Sequence, residues 1–200
     1  MTEKLFEHDK QFDCGVIAGI DEAGRGPLAG PVVCACCIMP LDEMIDGIND
    51  SKKVSEKRRE ALYEEIIAKA ISYCVVVIDE QIIDEINILN ATKKGMSDCL
   101  IGMQVKPDLV LVDAVTLPCD CNQLALIKGD AKSYNIAAAS ILAKVTRDRI
   151  MREYDKQYPE YGFAKHKGYG TKAHIEAIKT CGATKLHRKT FIKNFVNYEQ

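Results

Sequence analysis

The sequence predicts an α/β fold, and three stretches carry that expectation. Leu109-Val110-Leu111-Val112 is an unbroken aliphatic run, which suits a central strand covered on both faces. Other apolar runs of strand length alternate with stretches of helical period, as expected when helices pack on a sheet. From Ser133 the chain turns strongly helical, with small and apolar residues all round the first half, so this helix is expected to be buried against the sheet.

Taken in order, residues 1–14 are polar and read as an edge segment or frayed start. Val16-Ile17-Ala18-Gly19-Ile20 reads as a buried strand, and residues 31–38 as a second, joined to it by a glycine-rich turn. A polar loop then ends in Asp50-Ser51-Lys52-Lys53. Ser55 is a candidate N-cap with Glu56 in the first turn behind it. Leu62, Tyr63, Ile66, Ile67 and Ala70 give that helix its apolar stripe. Residues 73–78 read as a third strand, followed by two short helical segments carrying Ile82, Ile83 and Ile86, then Leu100 and Met103. The aliphatic run is the fourth strand and ends at Asp113; residues 123–128 read as a fifth, ending at Gly129-Asp130. The long helix emerges into solvent in its charged second half and stops at Pro159. Residues 160–170 form a loop rich in glycine, aromatics and lysine, and 171–180 another helix. The basic run Lys185-Leu186-His187-Arg188-Lys189 precedes a final short amphipathic stretch.

Composition narrows the function. With 47% hydrophobic residues and no long polar tract, the chain can bury a sizeable core. A formal charge of −2 excludes a uniformly basic nucleic-acid binder, so any such affinity must come from local patches. Met1-Thr2-Glu3-Lys4 offers no apolar signal segment, and no run approaches membrane-spanning length. A soluble, cytoplasmic, reducing context is therefore expected, with the nine cysteines serving mainly as small buried hydrophobes. Cys119-Asp120-Cys121 has no second Cys/His pair at a zinc-finger spacing.

Three acidic positions share one grammar, an apolar strand that ends in a carboxylate: Asp21/Glu22, Asp113 and Asp130. Strand ends commonly meet on one edge of an α/β sheet, where ligand sites concentrate. Four carboxylates brought together repel one another unless a cation neutralises them, and all-oxygen ligands favour Mg²⁺ or Mn²⁺. The bland alternative is three independent surface turns. Basic groups adjoin these acids in sequence: Arg25, Lys52, Lys53, Lys128, Lys132, Lys165 and Lys167, with His187-Arg188-Lys189 further on. An anionic metal centre ringed by cations suits a phosphodiester substrate. His166, His174 and His187 are candidates for phosphate contacts or proton shuttling, although a lone histidine is more often structural. Lys144 and Asp148 stand at helical spacing and are expected to form a structural ion pair.

Six segments then resemble, in order, the signatures of bacterial ribonuclease HII. They are DEAGRGPLAGP from Asp21, DSKK from Asp50, KGDAKS from Lys128, IAAASILAKVTRD from Ile136, YGFAKHKGYGT from Tyr161 and HRKTF from His187. The resemblance implies an RNase H-like fold: a five-stranded mixed sheet flanked by helices, with a small C-terminal helical portion from about residue 160, all in one catalytic domain over residues 1–200. It implies cleavage of the RNA strand of RNA–DNA hybrids and incision at single ribonucleotides in duplex DNA, as in ribonucleotide excision repair, by a monomer with two divalent ions, Mn²⁺ or Mg²⁺. Position by position, the metal-binding and catalytic quartet falls on Asp21, Glu22, Asp113 and Asp130. Substrate contacts fall on Gly24, Arg25, Gly26, Lys52, Tyr169, His187 and Arg188.

Two positions depart from the family pattern. Ala114 follows the third acid where glycine is expected, so the local turn is expected to differ, and Thr190 replaces serine while keeping a hydroxyl. Ribonuclease HIII shares the fold and chemistry, but the short segment before Val16 and the intact Gly24-Arg25-Gly26 turn favour HII. A hybrid-binding protein without catalysis would have little use for four clustered acids, and a nuclease for ordinary DNA would leave the glycine turn and Tyr169 unexplained.

Overall fold

The computed structural model describes residues 2–194. Five strands form one mixed sheet in the order β3-β2-β1-β4-β5. These are β1 (Ile17–Ala23), β2 (Val32–Ile38), β3 (Ser72–Ile78), β4 (Leu109–Asp113) and β5 (Gln123–Leu126). β1 runs antiparallel to β2 and parallel to β4. Helix α5 (Tyr134–Gln157) lies on one face with α2 (Glu56–Lys69). α4 (Ile88–Ile101) lies on the other face, where Met96 and Cys99 pack on Ala18, Ile20, Val110 and Val112. β4 is accordingly buried over its four aliphatic residues, as the unbroken run predicts.

Two features hold α5 where it is. Gly19 lets it approach β1 closely, since a Cβ there would lie 2.1 Å from the Asn135 carbonyl carbon. Ser133 caps the helix by accepting from the Ile136 amide at 3.2 Å.

The N-terminal stretch corrects the expectation of an edge segment or frayed start. Residues Thr2–Asp9 form helix α1, with Leu5 and Phe6 buried against Tyr134 and its neighbours. The fully buried Asp9 accepts from Ser133 Oγ, Asn135 N and Asn135 Nδ2, all within 2.9 Å, tying α1 to the start of α5. Its docking face holds so few apolar residues that periodicity alone does not reveal it. β1 also runs to Ala23, so Asp21 and Glu22 belong to the strand rather than following it.

After α3 (Glu80–Ile86) and α4, the remaining helices are α6 (Phe163–His166), α7 (Lys172–Cys181) and α8 (Lys189–Ile192). α6 falls in the segment expected to be a plain loop. Phe163, Ile178, Leu186 and Ile192 pack with Ala29 and Met151 in a separate apolar cluster, which joins this C-terminal part to the glycine-rich segment. The end of the expected last amphipathic stretch lies outside the described residues. Cys34, Cys36, Cys37 and Cys99 are buried thiols as expected, whereas Cys119 and Cys121 are joined in a disulfide. Lys144 and Asp148 pair at 2.7 Å. Among the described residues no helix is long and apolar enough to cross a membrane.

Candidate active site

Period-two alternation and parallel register bring the first acids together. Ile20 pairs with Val112, so Asp21 and Asp113 stand next in line on neighbouring strands, on the face that β1 and β4 turn toward α5. Asp113 Oδ1 accepts from the Gly129 amide at 2.6 Å, which fastens the turn carrying Asp130 beside it. Ala114 corrects the expectation of a different turn: it adopts φ +55°, the left-handed conformation that glycine would take without strain.

The electrostatics of the four acids are those of a crowded anionic centre. Burial pushes the Asp21 carboxyl well above its ordinary value, and Glu22, Asp113 and Asp130 push it further. Glu22 is raised by burial and by Asp113, against the opposing pull of Arg25 and Lys52. Asp130 is raised by burial, Asp50 and Asp113. Burial pulls the Lys52 ammonium down, but Asp130, Asp21, Asp50 and Asp113 outweigh it and leave the group raised. Asp50 thus stands beside the site, a role that the resemblance of its DSKK segment did not assign to it.

No group of three or more His, Cys, Asp or Glu side chains among the described residues is arranged, as it stands, to hold a metal ion. The donor set nevertheless fits a hard divalent cation. Its groups are all carboxylate oxygens, and Glu22 Oε2 is buried with no hydrogen-bond partner among the described residues. A buried anionic oxygen without a partner is costly, and a cation is what would satisfy it.

Asp21, Glu22, Gly24, Arg25, Gly26, Ser51, Lys52, Lys144, Arg147 and Tyr169 line one cleft of about 300 Å³. Gly24 has φ +102° and lies directly over the Arg147 side chain. A Cβ on Gly26 would sit 3.6 Å from Tyr169 Cε1, so the half-exposed tyrosine ring stands beside the glycine turn in the lining of the cleft. Arg25 reaches back to Glu22 at 3.7 Å.

His187 and Arg188 stand elsewhere than expected. Both are buried, at 2% and 0% exposure, and neither presents a surface to a duplex. His187 belongs to a neutral chain of rings whose proton positions follow from their partners. His174 Nδ1 faces the Tyr169 carbonyl at 3.0 Å and must donate, so its Nε2 accepts from His187 Nε2 at 3.1 Å. His187 Nδ1 then accepts from the Thr184 amide. His166 donates to the Tyr161 carbonyl and accepts from the Gly168 amide. Burial pushes both His174 and His187 down to about 4, so they stay uncharged at neutral pH. Lys144 and Arg147 in the cleft wall went unassigned to it from sequence, because residues on a helix reveal which way they face only once the helix is docked.

The sheet order, the helices on both faces and a cleft at the end of β1 lined by Asp21 and Glu22, with Asp113 next in line on β4, define a hydrolase of the RNase H-like fold. The ribonuclease H2 of Pyrococcus horikoshii OT3 has a similar structure, with TM-score 0.76 and 29% identity, covering 90% of this chain and 97% of that one. The family model described as ribonuclease HII matches residues 18–194. Curated relatives named ribonuclease HII include one from Ruminiclostridium cellulolyticum, 59% identical over 90% of this chain and 71% of its own length. Another, from Caldanaerobacter subterraneus subsp. tengcongensis, is 54% identical over 97% of this chain and 79% of its own length. The chain belongs to the ribonuclease HII family, nucleases that hydrolyse the RNA strand of RNA–DNA hybrids.

Proposed function

We propose that this chain also incises duplex DNA at a single embedded ribonucleotide, leaving a 5′-phosphate and a 3′-hydroxyl. The observation that carries the reading is that Gly24–Gly26 and Tyr169 line one cleft with the carboxylates of Asp21 and Glu22, the ring beside Gly26. A glycine turn brings main-chain groups within reach of one sugar, and the 2′-hydroxyl is the group that tells RNA from DNA locally. The Tyr169 ring would stack on the neighbouring deoxyribose, where an added hydroxyl would clash.

Asp21, Glu22, Asp113 and Asp130 would hold two divalent ions, Mg²⁺ or Mn²⁺, which when bound supply water activation and neutralise charge at the scissile phosphate. Lys52 and Arg25 offset the charge of the carboxylates and meet flanking phosphates. No histidine is needed as general base: His174 and His187 are buried, and they and the half-buried His166 spend their ring nitrogens on protein partners. The monomer and the single catalytic domain remain part of this reading.

A duplex DNA carrying one ribonucleotide, incubated with Mg²⁺ or Mn²⁺, tests it. Cleavage on the 5′ side of the ribonucleotide is expected. Cutting only within longer RNA tracts points instead to ribonuclease HIII-type selectivity, and binding without cutting overturns the reading altogether.

A further inference from the structure

Two arginines are buried beneath the glycine-rich segment, and neither forms an ion pair among the described residues. Arg188 donates to the main-chain carbonyls of Gly24 at 2.6 Å, Arg25 at 2.8 Å and Gly30 at 2.7 Å. Arg147 donates to Pro31 O at 2.9 Å, Lys167 O at 3.0 Å and Ala29 O at 3.2 Å. The Arg147 stem also fills the space under Gly24, where a Cβ would lie 2.1 Å from its Nε.

Trans peptide geometry fixes what this does on the other side of the turn. The C=O of one residue and the N–H of the next point in opposite directions across a planar peptide, and the chain has no cis bond among the described residues. With the Gly24 and Arg25 carbonyls drawn inward to Arg188, the amides of Arg25 and Gly26 point away from it. Gly24, Arg25 and Gly26 line the cleft, and neither of those two amides donates to another described residue.

We propose that Arg188, braced by Arg147, is a positioning residue that holds the Arg25 and Gly26 amides toward the cleft as donors for the substrate's 2′-hydroxyl. This rests on the ribonucleotide reading given above and names what enforces it. Guanidinium chemistry is required because one planar fork reaches three carbonyls, which a single ammonium cannot span. Burial lowers Arg188 to about 9, which leaves it cationic at neutral pH. Leu28 N to Gly168 O at 2.8 Å and Gly30 N to Leu186 O at 2.9 Å lock the same segment to the chain on either side of α7, so Tyr169 and the glycine turn move as one body.

The full chain is tested in Ca²⁺, which allows binding while withholding turnover, on two duplexes that differ only in one ribonucleotide. In the unaltered protein, the Arg25 and Gly26 amide resonances are expected to shift with the ribonucleotide duplex and not with the all-DNA duplex. In Arg188→Lys those shifts shrink, and the preference for the ribonucleotide duplex falls about tenfold, as for one lost hydrogen bond to a buried partner. Affinity for the all-DNA duplex stays within about twofold, since phosphate contacts are untouched. An unchanged preference in Arg188→Lys overturns the role of Arg188 while leaving the turn reading intact. Unmoved Arg25 and Gly26 amides in the unaltered protein overturn the turn reading itself. If circular dichroism shows Arg188→Lys unfolded at the assay temperature, Arg147→Lys is measured instead, with the same loss expected and an unchanged preference equally fatal.

Discussion

Two buried polar clusters in this molecule are built on opposite terms. At the ends of β1 and β4, burial and neighbouring carboxylates raise the proton affinity of Asp21, Glu22 and Asp130, and Glu22 Oε2 has no hydrogen-bond partner among the described residues. Around α7, His174 and His187 use every ring nitrogen, with tautomers set by the Tyr169 carbonyl and the Thr184 amide. A satisfied network rigidifies what surrounds it, whereas an unsatisfied one stores free energy that a ligand can release. The difference separates the part of the molecule proposed to do chemistry from the part that holds it in place.

The strongest way to break this contrast is at the acids. Asp21→Asn or Asp113→Asn is expected to lower turnover on an RNA–DNA hybrid by at least about a hundredfold, with duplex binding in Ca²⁺ largely kept. Each amide retains the oxygen that accepts from Glu22 N or Gly129 N, so the backbone has no reason to move. Retained turnover in steady-state assays would remove that carboxylate from the site.

The same acids should then show their cost in stability. The raised carboxyl of Asp21 contributes stability fully present below its unfolded value and lost as pH rises through the folded one. Without divalent ions, Asp21→Asn is therefore expected to unfold at higher urea than the unaltered protein at pH 7, the gap closing toward about pH 4. Mg²⁺ or Mn²⁺ should raise the midpoint of the unaltered protein and do much less for the variant. Equal midpoints across that pH range would mean that the acids do not repel.

The histidine cluster carries the opposite sign. His174 and His187 are held down to about 4, so their contribution is present above the unfolded value and lost as pH falls. Between about pH 6.5 and pH 4 each of the two rings should cost on the order of 3 kcal/mol of stability. NMR titration of both rings during acid unfolding checks this, and a ring that charges near pH 6.5 in the folded protein contradicts it.

The smallest effect concerns Ala114. Its left-handed φ of +55° favours glycine, so Ala114→Gly should stabilise the protein by up to about 1 kcal/mol, after allowing for glycine's greater unfolded freedom. Thermal denaturation would show it, and a lower melting temperature would mean that the turn tolerates alanine without strain.

Much of the site could be read along the chain. The strand-end carboxylates and the glycine turn are local patterns whose residue types already suggest their chemistry, whereas Tyr169 is singled out only by the resemblance to the family. His187 and Arg188 show where such reading stops. A basic run near a phosphate-binding motif suggests contact with phosphate, yet both side chains turn inward and bind their own protein. α1 leaves no local signal for a related reason, since Leu5, Phe6 and Asp9 acquire meaning only against Tyr134, Ser133 and Asn135.

The sequence alone determined the α/β class, the strands and the long helix, because hydrophobic period and turn chemistry are properties of neighbouring residues. It also determined which carboxylates could gather, since strand ends set their positions. Only the tertiary structure decided that Asp113 stands beside Asp21, that Asp50 and Lys144 belong to the same neighbourhood, and that Arg147 and Arg188 lie beneath the glycine turn. Register, helix docking and the direction of a buried guanidinium depend on partners far away along the chain, and no local pattern records them.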